Sequence, residues 1–168
     1  MPVHYDWFGE DISREEGETL PRAIARWFAE KAANEELRWG NLSSTRFEKC
    51  KYQTEAYVEE AIERVSAGKA RPGTEVVAVA RARQQGCPLF ELRWHRDVRQ
   101  LNGVKKEQIR QYESEPEELS DCVFGLHMHL KDVRSGDDAA INAAQNEHID
   151  RAIAIHQRRS LDGWARQT

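Results

Sequence analysis

Residues 122–131 (Cys-Val-Phe-Gly-Leu-His-Met-His-Leu-Lys) form the most regular alternation in the chain. A period of two is that of a β-strand, and it puts Phe124, Leu126, Met128 and Leu130 on one face and Val123, Gly125, His127, His129 and Lys131 on the other. The first face is a core face; the second is left for solvent or chemistry. A second alternating run follows Pro88, with Phe90, Leu92 and Trp94 set against Glu91, Arg93 and His95. Asn102-Gly103 then supplies the pair best suited to a two-residue type I′ turn, whose central positions both need positive φ. That turn sets Arg93 across from Tyr112 and His95 across from Arg110. The returning segment 104–112 is read as a strand, although Gln111 and Glu113 then share the face of Leu92 and Trp94, and a helix also accommodates it. The apolar run 76–80 is either a strand or a short buried helix; periodicity does not separate the two.

Helices flank these strands. Over 20–39, Ile24, Trp27, Phe28 and Leu37 recur at helical spacing, with Thr19 as a cap, Pro21 in the first turn and Gly40 beyond the end. Thr54 caps a second helix carrying Tyr57, Val58, Ala61, Ile62 and Val65, which Gly68 closes. Ser135-Gly136-Asp137-Asp138 breaks the last strand and opens a helix over about 139–159, with Ile141, Ala144, Ile149, Ala152 and Ile153 as its buried stripe. The order implies an α+β domain with helices packed on one face of an antiparallel sheet.

Composition narrows the function classes. Lys and Arg number 25 against 29 Asp and Glu, so bulk charge does not hold this protein on nucleic acid. Residues 1–68 hold 9 of those cations and 14 of the anions, so the acidic excess lies in the N-terminal part. No apolar run approaches a membrane span, and the first residues lack the basic and apolar stretches of a signal peptide; a cytoplasmic location without membrane association is expected. Cys50, Cys87 and Cys122 are odd in number and have no CxxC spacing, which points to reduced thiols.

From Tyr57 to about His156 the chain resembles the RelE/ParE toxin superfamily, nearest its HigB-like, phage-derived branch. The features that carry the resemblance are the helix ending in Gly68, the Pro72-Gly73 turn and the Leu89-Phe90-Glu91-Leu92-Arg93 strand. They continue with Arg110 and Tyr112 on the next strand, the segment Leu126-His127-Met128-His129-Leu130-Lys131-Asp132, and an Ala/Ile-rich final helix. The resemblance implies a RelE-like α+β domain over 54–168, preceded by a helical extension over 1–53. It also implies a toxin-like endoribonuclease that cleaves mRNA, alone or within the ribosome, and that has a cognate antitoxin or another protein partner. The chain departs from the family in its acidic N-terminal segment, its near-neutral charge and the polar Gln-Ile-Arg-Gln-Tyr returning strand.

Under the expected alternation, Arg93, His95, Arg110, Tyr112, His127, His129 and Lys131 share the polar face of one sheet. RNA cleavage without metal or cofactor needs a base for the 2′-hydroxyl, charge for the pentavalent phosphate and an acid for the leaving 5′-oxygen. The resemblance assigns the basic positions to Arg93, Arg110 and Lys131. A histidine with a pKa near 6.5 suits either proton-transfer role. The same residues also make an ordinary solvated face, in which case the fold serves as a catalytically inactive module for a protein partner. His127-x-His129 also has the geometry of a metal-ligand pair, but no third ligand has a diagnostic spacing, so no metal is expected. The acidic N-terminal segment is either an added helical layer or a built-in mimic of RNA charge on the basic face.

Overall fold

The computed structural model describes residues 3–165. Its sheet has five strands: β1 (His4–Trp7), β2 (Val76–Ala78), β3 (Leu89–Gln100), β4 (Gly103–Ser114) and β5 (Cys122–Leu130), in the spatial order β1-β5-β4-β3-β2. The helices are α1 (Leu20–Arg38), α2 (Phe47–Ser66), α3 (Ala80–Gln84) and α4 (Asp138–Leu161), with a 3-10 turn at Ser44–Arg46. The class is α+β, and two details of the expected architecture are corrected.

The sheet is mixed. β1 pairs with β5 in parallel, His4 against Cys122 through Trp7 against Gly125. The N-terminal segment thus contributes a sheet strand as well as helix, and a boundary at 53/54 falls inside α2. Thr54 is the reason α2 was expected to start there; it lies buried within the helix and its hydroxyl donates to the Cys50 carbonyl at 2.8 Å.

Helices cover both faces. Ile24 and Phe28 of α1 and Val58 and Ile62 of α2 pack with Leu92, Trp94, Ile109, Met128 and Leu130. Ile149, Ala152 and Ile153 of α4 pack with Leu89, Tyr112, Phe124 and Leu126 on the other side. β5 serves both cores because its register slips: Tyr112 pairs with His127, but Glu113 pairs with Gly125, leaving Leu126 as a bulge. One extra residue inverts the alternation. Phe124 and Leu126 therefore leave the face of Met128 and Leu130, on which the sequence places all four.

The β3–β4 register also differs from expectation. Arg93 stands across from Arg110 and His95 across from Gln108. Leu101 and Asn102 form the turn with negative φ, and Gly103 alone takes the left-handed region at φ 110°. A turn of that kind loops one position earlier than a type I′ turn at Asn102-Gly103 and moves the pairing by two residues, which leaves each side chain on its expected face. The Leu101 amide donates to the Asn41 carbonyl at 3.0 Å, tying the turn to the α1–α2 loop. The run 76–80 resolves into both alternatives in sequence, β2 and then the start of α3.

Asp137 caps α4, its carboxylate accepting from the Ala139 amide at 3.0 Å. Full burial is confined to the second half of α4: its buried residues are Ile149, Ala152, Ile153 and His156, while Ile141 is half-buried and Ala144 exposed.

Candidate functional site

Strand alternation and register bring all seven sequence-nominated residues to the α4 side of β3, β4 and β5. Arg93 faces Arg110 across one strand pair, and Arg110 faces His129 and Tyr112 faces His127 across the next. α4 then divides them into two groups by what it covers.

Tyr112, His127 and His129 lie beneath α4 and are at most 2% exposed. They belong to a stack completed by His148 of α4. The His129 and His148 rings lie 3.6 Å apart at 8°, and Tyr112 lies 5.8 Å from His129. His127 Nε2 and His148 Nδ1 share a hydrogen bond of 2.9 Å, whose donor depends on the tautomer. His129 Nδ1 donates to the Leu130 carbonyl at 2.9 Å. Burial, followed by the charge of His148, holds His129 well below the usual imidazole range. Burial and then His127 lower His148 to about 4. From the loop after β1, Glu10 Oε1 approaches His127 Nδ1 at 3.6 Å and Lys31 Nζ at 3.3 Å. Burial pushes the Glu10 carboxyl up, but the His127 hydrogen bond and the Lys31 charge outweigh it and hold the pKa at about 2. This cluster is closed to a polymer.

Arg93, His95 and Lys131 remain open, with Arg110 behind them. A cleft of about 520 Å³ separates Arg93, Arg110 and Lys131 from Asn142, Gln145, Asn146 and Ile149 of α4. Glu91, buried on the same face, organises the arginines: Arg93 Nε donates to its Oε2 at 2.8 Å, and Arg110 Nε lies 3.1 Å from its Oε1. Gln145 Nε2 donates to the same Oε1 at 2.9 Å, which fastens α4 to the sheet. A buried carboxylate beside two guanidiniums lowers the cost of gathering them, because each alone would lose its hydration without return. His95 is exposed beyond this group. Partial burial and then the charges of Arg110, Lys106, Arg93 and Lys131 lower its pKa, favouring the neutral imidazole. Burial and then Arg110 likewise lower the Lys131 ammonium.

Glu91, Glu10, Gln145 and His148 are not among the residues the sequence nominates for the site. Glu91 carried a signal, since it alternates onto the face of Arg93 and His95. His148 carried one too, as the neighbour of the buried Ile149. Nothing local marks Glu10 or Gln145, which reach the site from distant elements. Among the described residues no group of three or more His, Cys, Asp or Glu side chains is arranged to hold a metal ion. Nor is any described helix long and apolar enough to cross a membrane.

Comparison with family profiles, with curated proteins and with solved structures finds no match.

Proposed function

We propose that this protein is a metal-independent endoribonuclease of the RelE/ParE type, nearest the HigB-like branch, acting on mRNA free or within the ribosome. One observation carries the reading: His95, an exposed imidazole biased toward its neutral form by partial burial and by the charges of Arg110, Lys106, Arg93 and Lys131, shares a sheet face with the cleft that Arg93, Arg110 and Lys131 line. His95 takes the proton of a 2′-hydroxyl, and the 2′-oxygen attacks the adjacent phosphorus. Arg93 and Lys131 stabilise the charge gathered on the pentavalent phosphate. The bond to the 5′-oxygen breaks as that oxygen accepts a proton from Lys131, whose lowered pKa makes it the better acid. The products are a 2′,3′-cyclic phosphate and a 5′-hydroxyl. Arg110, 4% exposed, acts by its field and by holding Glu91, and the Tyr112, His127 and His129 stack supports α4 without touching substrate. Expression of the wild type is expected to arrest growth, and Arg93→Ala or Lys131→Ala to lift the arrest while the protein stays folded. A harmless wild type that leaves cellular RNA intact defeats the proposal.

A second reading is favoured by Glu91, which neutralises part of the cationic wall. In it the chain is a catalytically inactive RelE-fold module that binds a cognate antitoxin or another protein. Pull-down separates the two readings: RNA or ribosomes mark the enzyme, and one stoichiometric protein the module. The structure does not favour the mimic role for the N-terminal segment, since α1 and α2 pack on the opposite face and Glu10 pairs with Lys31 and the buried His127, away from Arg93 and Lys131.

A further inference from the structure

The first turns of α4 do something its buried half does not. No residue of α4 before Ile149 is buried, yet Asn142, Gln145 and Asn146 form one wall of the cleft. Gln145 is committed to Glu91. Asn142 and Asn146, one turn apart, present their carboxamides to the same side. Neither makes a side-chain hydrogen bond among the described residues. Across the cleft Arg110 Nε is a buried donor without hydrogen-bond geometry to any acceptor, although Glu91 Oε1 lies 3.1 Å away. The two walls thus differ in chemistry: one is cationic, the other carries paired donors and acceptors.

A nucleotide has the same division. Its phosphate seeks guanidinium and ammonium groups, and its base edge matches the side-by-side donor and acceptor of a carboxamide. A volume of about 520 Å³ lies within the range of small-ligand sites. Base edges are free for such contacts in single strands, whereas an A-form duplex uses their Watson–Crick edges in pairing and holds their major-groove edges where side chains cannot reach. We propose that the cleft seats one nucleotide of single-stranded RNA, its phosphate on Arg93 and Lys131 and its base on Asn142 and Asn146, so that these two asparagines select the base. The assignment rests on the RNA reading above but makes a separate demand, discrimination between bases.

Binding of short, labelled 2′-O-methyl homopolymers of the four bases, which cannot be cleaved, tests it by fluorescence anisotropy. The wild type should prefer one base by roughly tenfold or more, the scale of a good amide–base pair. The double variant Asn142→Ala, Asn146→Ala should bind all four alike with its melting temperature retained, since neither position is buried and alanine suits a helix. Lys131→Ala should weaken all four equally and reduce the salt dependence. Equal wild-type affinity for the four bases, or a double variant that keeps the preference, overturns the assignment, as does tighter binding of free 5′-mononucleotides than of the homopolymers. Base preference without cleavage of natural RNA overturns the enzyme and leaves this site standing. Cleavage without base preference does the reverse.

Discussion

Replacing Glu113 by glutamine probes a buried ionisable layer of the sheet. Glu113 is 2% exposed, on the side of β4 that faces α1 and α2. Gln111 Nε2 donates to it at 2.9 Å and to the Tyr5 hydroxyl at 2.7 Å. Burial, and after it the charge of Glu115, raises the Glu113 carboxyl from 4.5 to about 8. An acid with a raised folded pKa keeps its proton where the unfolded chain has released it. Stability is therefore fully present below about pH 4.5, falls as pH rises through about 8, and is level above that. At pH 7 the linkage amounts to about 3 kcal/mol. Glutamine keeps the shape and the acceptor for Gln111 and removes the titration. Urea unfolding of both proteins at intervals from pH 4.5 to 8.5 should show the wild type losing stability against Glu113→Gln by that amount by pH 7. In melting temperature this is roughly 6–12 °C for a domain of this size. Parallel curves for the two proteins refute the reasoning, because they mean that Glu113 is ionised in the folded state or that its burial costs nothing.

Three further outcomes are expected. Glu91→Gln removes the partner of Arg93 and Arg110 and should cost about 3 kcal/mol in urea unfolding while strengthening binding of inorganic phosphate; unchanged stability would show that the arginines do not depend on it. His148 stays neutral in the folded protein down to about pH 4, so stability should fall as pH drops from 6.5 toward 4, and His148→Gln should flatten that limb of the curve; an equal acid slope in both proteins contradicts this. Gly125→Ala places a Cβ against the Tyr5 hydroxyl and 2.7 Å from Trp7 Cε3, and should destabilise by roughly 1–3 kcal/mol, read by thermal melting; a neutral effect would mean that β1 moves freely on β5.

Much of the sheet was legible because alternation and turn chemistry are local. The strands around Leu92 and Met128, and the helices that begin after Thr19 and Asp137, follow from spacing and capping alone, whereas the segment around Ile109, a strand in the structure, also fits a helix by its sequence. The bulge at Leu126 was not legible, since its cause is the pairing of β4 with both sides of the slip and no residue type announces it. β1 was missed because four residues are too short to show a period, and its parallel partner lies far along the chain. The candidate site was legible as a set of residues on one face, and all seven do lie there. Their division into an open cleft and a buried histidine stack was not, because it depends on where α4 crosses the sheet. That crossing is set by Gln145 on Glu91, His148 on His127 and the Arg81–Asp150 pair at 2.7 Å, contacts between elements distant in sequence.

If His95, Arg93 and Lys131 cleave RNA as proposed, the reaction passes through a 2′,3′-cyclic phosphate. Its most direct measurement is the mapping of RNA ends after purified protein is added to mRNA, alone and on translating ribosomes. New 2′,3′-cyclic phosphate and 5′-hydroxyl ends that appear with the wild type, fall by about 100-fold or more with His95→Ala, and persist in the presence of a chelator are the predicted result. Ends of that kind produced equally by His95→Ala and Lys131→Ala, or no new ends in either setting, would contradict it.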